Sequence, residues 1–279
     1  MIPDPHRFAF LGRPRHVWAV GAVHGEVDQL ATLHDEIAPR VRPGDRIVHL
    51  GNVLGHGAAV RETVDELLDF RRRILSMPGM LVGDVVFLRG QQEEMWQKLL
   101  QLQFAPNPAE VLNWTLQQGV AATLAAYGGD AREGMVAARD GAMRLTRWTN
   151  ALRQAQRAAA GHDSFYAALR RAALTEPPAP PPGEAASQGG GLLMVSAGID
   201  PGRPLDVQTD SFWWDYRGFE QVREPWEGFV RVIRGFDPRN GGLSLDWVAV
   251  TLDGGCGRGG TLAAGRFGPD GAFLDLIEA

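Results

Sequence analysis

A chain of 279 residues, 44% hydrophobic and 22% charged, is large enough to bury a core without disulfides or a structural metal. Its formal charge of −5 gives no footing for nucleic acid or an anionic membrane, and a single cysteine, Cys256, excludes an internal disulfide. No stretch approaches the roughly 20 apolar residues of a membrane span, and the first residues lack the apolar run of a signal peptide, so a cytoplasmic protein is expected. The basic residues are almost all arginine, Lys98 being the one lysine, which together with the abundant alanine fits a GC-rich genome.

In chain order, Val17–Val20 reads as a short buried strand, and Val27–Ile37 carries Leu30, Leu33 and Ile37 at helical spacing. A turn at Pro43-Gly44-Asp45 leads into the apolar run Ile47–Leu50, and a second helix is predicted over Ala59–Leu75. Val85–Leu88 is a third strand, so the first ninety residues read βαβαβ, the pattern of a largely parallel sheet. From Gln91 to about Leu174 the spacing is helical and rich in Ala, Leu and Gln. Residues 94–190 are therefore read as a helical insertion in one domain spanning 1–279, ending in a Pro- and Gly-rich connector over 175–191 that can form neither helix nor central strand. Strands then return at Leu192–Val195, Val230–Arg234, Trp247–Leu252, Thr261–Phe267 and Ala272–Ile277; Gly-rich turns between the last three predict an antiparallel meander.

Five strands end in glycine-bounded loops, and the carboxyl ends of strands are where α/β sheets hold ligands. The loops are Gly21-Ala-Val-His-Gly25, Gly51-Asn-Val-Leu-Gly-His-Gly57, Leu88-Arg-Gly-Gln-Gln-Glu93, Val195-Ser-Ala-Gly198 and Arg234-Gly-Phe-Asp-Pro238. In order and spacing they resemble the motifs of the calcineurin-like metallophosphoesterases, above all the bacterial branch of diadenosine tetraphosphatases and protein Ser/Thr phosphatases. Those carry Gly-Asp-x-His-Gly, Gly-Asp-x-x-Asp-Arg-Gly, Gly-Asn-His-Glu, His-Ala-Gly and Gly-His-Thr-Pro. The flanks Trp114–Gly128, Val195–Gln208 and Leu252-Asp-Gly-Gly-Cys-Gly resemble that branch too, so the likeness covers about residues 15–270. It implies an α/β fold, a four-layer α/β/β/α sandwich of two mixed sheets carrying the helical insertion.

The resemblance also implies a site for two divalent cations about 3.5–4 Å apart, held by carboxylates and imidazoles. Carried over position by position, that site has lost its donors. Ala22 stands for the first aspartate, Asn52 for the bridging aspartate, Gln91 for the asparagine, and Ser196 and Phe236 for the last two histidines; His24 alone survives. Gln92 replaces the histidine that acts as leaving-group acid, and glutamine cannot donate a proton. Gly55-His56 replaces the Asp-Arg whose arginine grips phosphate. The glycines persist while the ligands are gone, so no metal and no other cofactor is expected, and no residue is assigned a catalytic role.

Other roles have plain counterparts. His24 reads as a hydrogen-bonding loop residue more readily than as a lone ligand, and His56 as a solvent-facing turn residue or a phosphate contact. Arg89 reads as an ion-pair partner of its loop or a ligand contact, and Glu93 as a carboxylate suited to a helix N-terminus. Asp237 and Asp253 have turn roles, although they could rebuild a single-metal site. Gly-Gly-Cys-Gly-Arg-Gly-Gly around Cys256 lacks the Lys-Ser/Thr of a phosphate loop and reads as a turn. The aromatic group Phe212, Trp213, Trp214, Tyr216 and Trp226 is either core or a partner anchor.

The expected function is that of a catalytically inactive pseudophosphatase that binds an unknown protein partner or a ligand. One alternative is a metal-free site for a phosphorylated metabolite or nucleotide, its phosphate near His24, His56 and Arg89. The other is a residual phosphoesterase with a rebuilt metal site. The replacements further predict that Phe236 lies across the old metal cavity towards Ala22, with Gln91 or Gln92 hydrogen-bonded to Asn52 or His24.

Overall fold

The computed structural model describes Asp4 and residues 6–177 and 190–279. The strands are β1 (Phe8–Phe10), β2 (Val17–Val20), β3 (Arg46–His49), β4 (Val85–Phe87), β5 (Ala172–Leu174) and β6 (Gly191–Val195). They continue as β7 (Phe229–Arg234), β8 (Ser244–Leu245), β9 (Ala249–Thr251), β10 (Ala263–Phe267) and β11 (Phe273–Glu278). One mixed sheet has the order β11-β10-β2-β3-β4, the other β1-β5-β6-β7-β9-β8. As the βαβαβ pattern requires, β2, β3 and β4 are parallel neighbours. The intervening helices are α1 (Val27–Ile37) and α2 (Val60–Leu75).

Strand alternation explains the layering. On β2, Val17 and Ala19 face Leu192, Met194, Ile233 and Val250 of the second sheet, forming the core between the sheets. Trp18 and Val20 point the other way, into a core shared with Leu30 and Leu33 of α1 and with Val64 and Leu67 of α2. On the outer face of the second sheet, Leu193, Val195 and Val232 pack on Phe212, Trp213 and Phe219. Those aromatics lie on the short helices of Ser211–Trp214 and Tyr216–Phe219, so the Phe212-Trp213 pair serves as core.

Between β4 and β5 come α3 (Gln91–Leu100), α4 (Pro108–Thr115), a π-turn over Leu116–Val120, α5 (Ala121–Ala126), α6 (Ala131–Asp140), α7 (Ala142–Ala158) and α8 (His162–Ala168). Their buried Trp96, Leu112, Leu124, Leu152 and Phe165 join the core of α1 and α2. No helix among the described residues is long and apolar enough to cross a membrane.

Two expectations are corrected. The end of the helical stretch is instead strand β5, paired parallel to the unanticipated β1; three-residue strands are too short to show a period of two. The meander does not form either. β9 lies parallel to β7 in one sheet while β10 is antiparallel to β2 and β11 in the other, so the glycine-rich segment after β9 carries the chain between sheets instead of folding a hairpin. Of the connector read over 175–191, residues 178–189 lie outside the described part.

Candidate functional site

The loops that follow β2, β3, β4, β6 and β7 meet at one end of the two sheets. The first two are laced by backbone bonds: His24 N–H donates to Asn52 O (2.8 Å), Gly25 N–H to Val53 O (2.8 Å) and Gly57 N–H to His24 O (2.7 Å). Ser196 O accepts from both Gly235 and Phe236 at 3.0 Å, tying the last two together. Gly51 shows why a glycine is needed here: at φ 88° a side chain would be strained, and its Cβ would lie 2.6 Å from Gly90 N.

Below the loops lies one buried carboxylate. Glu93, in the first turn of α3, accepts N–H bonds from Gly90 (2.7 Å), Asn52 (2.9 Å), Val53 (2.8 Å) and Leu54 (3.1 Å). Burial raises the Glu93 pKa, while the backbone donors oppose that shift by favouring the ionised form. The glutamate thus caps α3 and fixes the shape of the second loop, agreeing with its reading as a helix-start carboxylate.

Three residues on these loops hold left-handed backbone conformations without being glycine: His24 (φ 54°), Asn52 (φ 52°) and His56 (φ 50°). Such conformations persist where the surroundings over-determine them. The side chains they present are largely uncharged. His24 is fully buried, and its Nδ1 faces Leu54 O at 3.3 Å; a carbonyl only accepts, so Nδ1 carries the proton and Nε2 the lone pair. Burial, with the nearby His56 and Arg258, pushes the His24 pKa down to about 3. Asn52 Oδ1 accepts from Gln92 N–H at 3.0 Å, which leaves its NH2 group buried without a partner.

Phe236 closes the centre. Its ring meets His24 edge-on at 5.3 Å and clusters with Ala22 and Ala197, and the Arg258 guanidinium lies 5.1 Å above it. His56 packs edge-on against His24 at 4.9 Å on the outer side and is itself exposed; desolvation and Arg258 lower its pKa. Phe236 therefore lies against Ala22 as the replacements suggest. The glutamines do otherwise. Gln91 Nε2 donates to Trp213 O (2.5 Å) and Gln92 Nε2 to Gln118 O (2.6 Å), so only the Gln92 backbone reaches Asn52. Gln91 is drawn outward because Trp213 is already fixed to this loop, its indole N–H donating to Arg89 O at 2.7 Å.

The helical segment supplies contacts that motif reading passed over. Gln118 and Gly119 of the π-turn press on Gln92 and His56; a Cβ on Gly119 would lie 2.7 Å from the His56 ring. Thr123 Oγ1 accepts from Gly55 N–H at 3.2 Å. Arg258, next but one to Cys256, was not singled out either; it bonds Asp253 at 2.7 Å. Asp253 also holds the Asp237 and Gly255 N–H groups, and Asp237 pairs with Arg234 at 3.0 Å, so both aspartates serve their turns. Cys256 is buried, donating to Val23 O and Gln29 Oε1, with its pKa pushed up to about 12. Of the three residues expected around an anion, His24 and His56 touch. Arg89 instead pairs with Glu94 at 3.1 Å and lines a separate cleft.

These residues do not fit a pair of divalent cations. Ala22 and Phe236 offer no donor atom, Asn52 Oδ1 is taken by the Gln92 N–H, and the remaining acceptors, His24 Nε2, Gln92 Oε1 and Ser196 Oγ, are neutral. Two dications held close together need anionic oxygen to offset them. Among the described residues no three His, Cys, Asp or Glu side chains are grouped to hold a metal.

No protein-family model and no curated protein matches the chain. Solved structures do. A protein assigned as a diadenosine tetraphosphatase superposes with a TM-score of 0.56 at 18% identity, over 98% of both chains. A protein serine/threonine phosphatase from Saccharomyces cerevisiae gives 0.52 at 13% identity, over 98% of this chain and 82% of its own. A cold-active protein tyrosine phosphatase gives 0.53 at 13%, over 95% and 80%. The chain has a calcineurin-like phosphoesterase fold of two mixed sheets flanked by helices.

Proposed function

We propose that this protein is a pseudophosphatase, which keeps the phosphoesterase fold without hydrolytic chemistry and acts in the cytoplasm by binding a protein partner or a ligand. The observation that carries the reading is Phe236, whose ring lies against Ala22 and His24 where the resemblance places a metal-bound imidazole. Phosphoester hydrolysis depends on electrostatic stabilisation of the transferring group. A phenyl ring and a methyl group supply none, and one neutral buried amide cannot stand in for two dications.

The test is hydrolysis of p-nitrophenyl phosphate, a phosphopeptide and diadenosine tetraphosphate, with Mn2+ added. Background rates are expected for the natural chain and for Ala22→Asp with Asn52→Asp, because Gln92, Ser196 and Phe236 stay in place. Turnover above a mock preparation in either protein contradicts the reading.

A further inference from the structure

Beside the third strand-end loop, whose Arg89 and Glu93 help to line it, a cleft of about 400 Å3 opens between α3, α7 and α8. That volume falls in the range of small-molecule sites. Three arginines line it, Arg89, Arg153 and Arg157. Arg89 is matched by Glu94, but among the described residues no carboxylate pairs with Arg153 or Arg157. Arg153 donates to Asn150 Oδ1 at 2.6 Å and to Leu100 O, both neutral. Two lining residues are acidic. Glu93 is committed to its backbone donors, and Asp163 on α8 forms no ion pair with either arginine.

Arg153 and Arg157 stand one turn apart on α7, and both face the cleft. Like charges at this spacing repel, so the pair is better accommodated around an anion. Gln156 between them is buried and accepts the Trp96 indole N–H at 2.8 Å, which fixes that face of α7 against α3. Two planar forks a turn apart can divide the terminal oxygens of a phosphate between them, whereas one fork already satisfies a carboxylate. Beyond the arginines, Leu100 and Leu169 give the cleft an apolar wall, and the Gln97 and Gln101 amides give it neutral polar groups.

We propose that this cleft binds a small phosphomonoester carrying a planar or apolar body, its phosphate between Arg153 and Arg157. The proposal holds whether or not the strand-end centre is inactive, because Arg153 and Arg157, which hold the phosphate, lie on α7 outside the strand-end loops. The test is calorimetric titration of the full chain with AMP, with adenosine as the neutral control. Saturable AMP binding is expected without adenosine binding, weakened about tenfold or more in Arg157→Glu. Arg157 is exposed, so the change leaves the core intact. Arg147→Glu makes the same charge change on α7 outside the cleft and should bind AMP as the natural chain does. Absence of saturable AMP binding, or equal affinity in Arg157→Glu, overturns the proposal.

Discussion

The strand-end centre and the cleft between α3, α7 and α8 are opposites. At the centre, His24, Asn52 and Ser196 are fully buried, Phe236 is 6% exposed, and the unpartnered atoms of His24, Asn52, Gln92 and Ser196 are neutral. The cleft is open and lined by arginines with few matching carboxylates. The contrast is one between a closed loop framework and an open, charged surface. The glycines, the left-handed residues and the Glu93 cradle shape the centre, where the one nearby arginine, Arg258, is matched by Asp253, while Arg153 and Arg157 of the cleft have no carboxylate partner among the described residues.

Acid should break the sealed interior first and most. Buried His24 and His34 both have pKa values lowered to about 3 from 6.5. The unfolded chain therefore takes up their protons first, and the stability present above pH 6.5 is lost as the pH falls towards 3. Linkage puts the combined loss at about 5 kcal/mol over the first two pH units. Glu93, raised by burial, offsets part of it near the carboxylate range. Urea unfolding from pH 7 to 4.5 measures the slope, and a flat profile would mean that these imidazoles are not held neutral.

Glu93→Ala comes next. Removing a buried carboxylate that holds four backbone N–H groups should cost about 4 kcal/mol in thermal or urea unfolding, since those donors are left unpaired. Phe236→Ala should cost about 3 kcal/mol by opening a cavity beside Ala22 and Ala197. If Phe236→Ala proves neutral, the ring is not packed and the centre is less closed than described. The smallest effect is at His56. Its φ of 50° favours glycine, and its ring is exposed, so His56→Gly should leave stability unchanged or raise it by up to about 1 kcal/mol.

Much of the fold was legible because the ordered glycine-bounded loops and the helical spacing of Leu30, Leu33, Val64 and Leu67 are local signals. Sheet membership was not. Nothing local to Ala249–Thr251 tells that it pairs with β7 and not with β10. The bulk and shape of Phe236 pointed to its packing on Ala22, because only one cavity was emptied by the replacements. The direction of Gln91 could not be read, since it depends on Trp213, which lies far along the chain and bonds the same loop through space. The role of Arg258 is hidden for a similar reason: an arginine in a glycine-rich turn signals nothing until Asp253 and Phe236 lie beside it.

The strand-end centre is expected to hold no metal pair. The direct measurement is elemental analysis after dialysis against Mn2+ and removal of free ion. Substoichiometric Mn2+, unchanged in His24→Ala, is the expected result; two equivalents per chain that are lost in His24→Ala would contradict it.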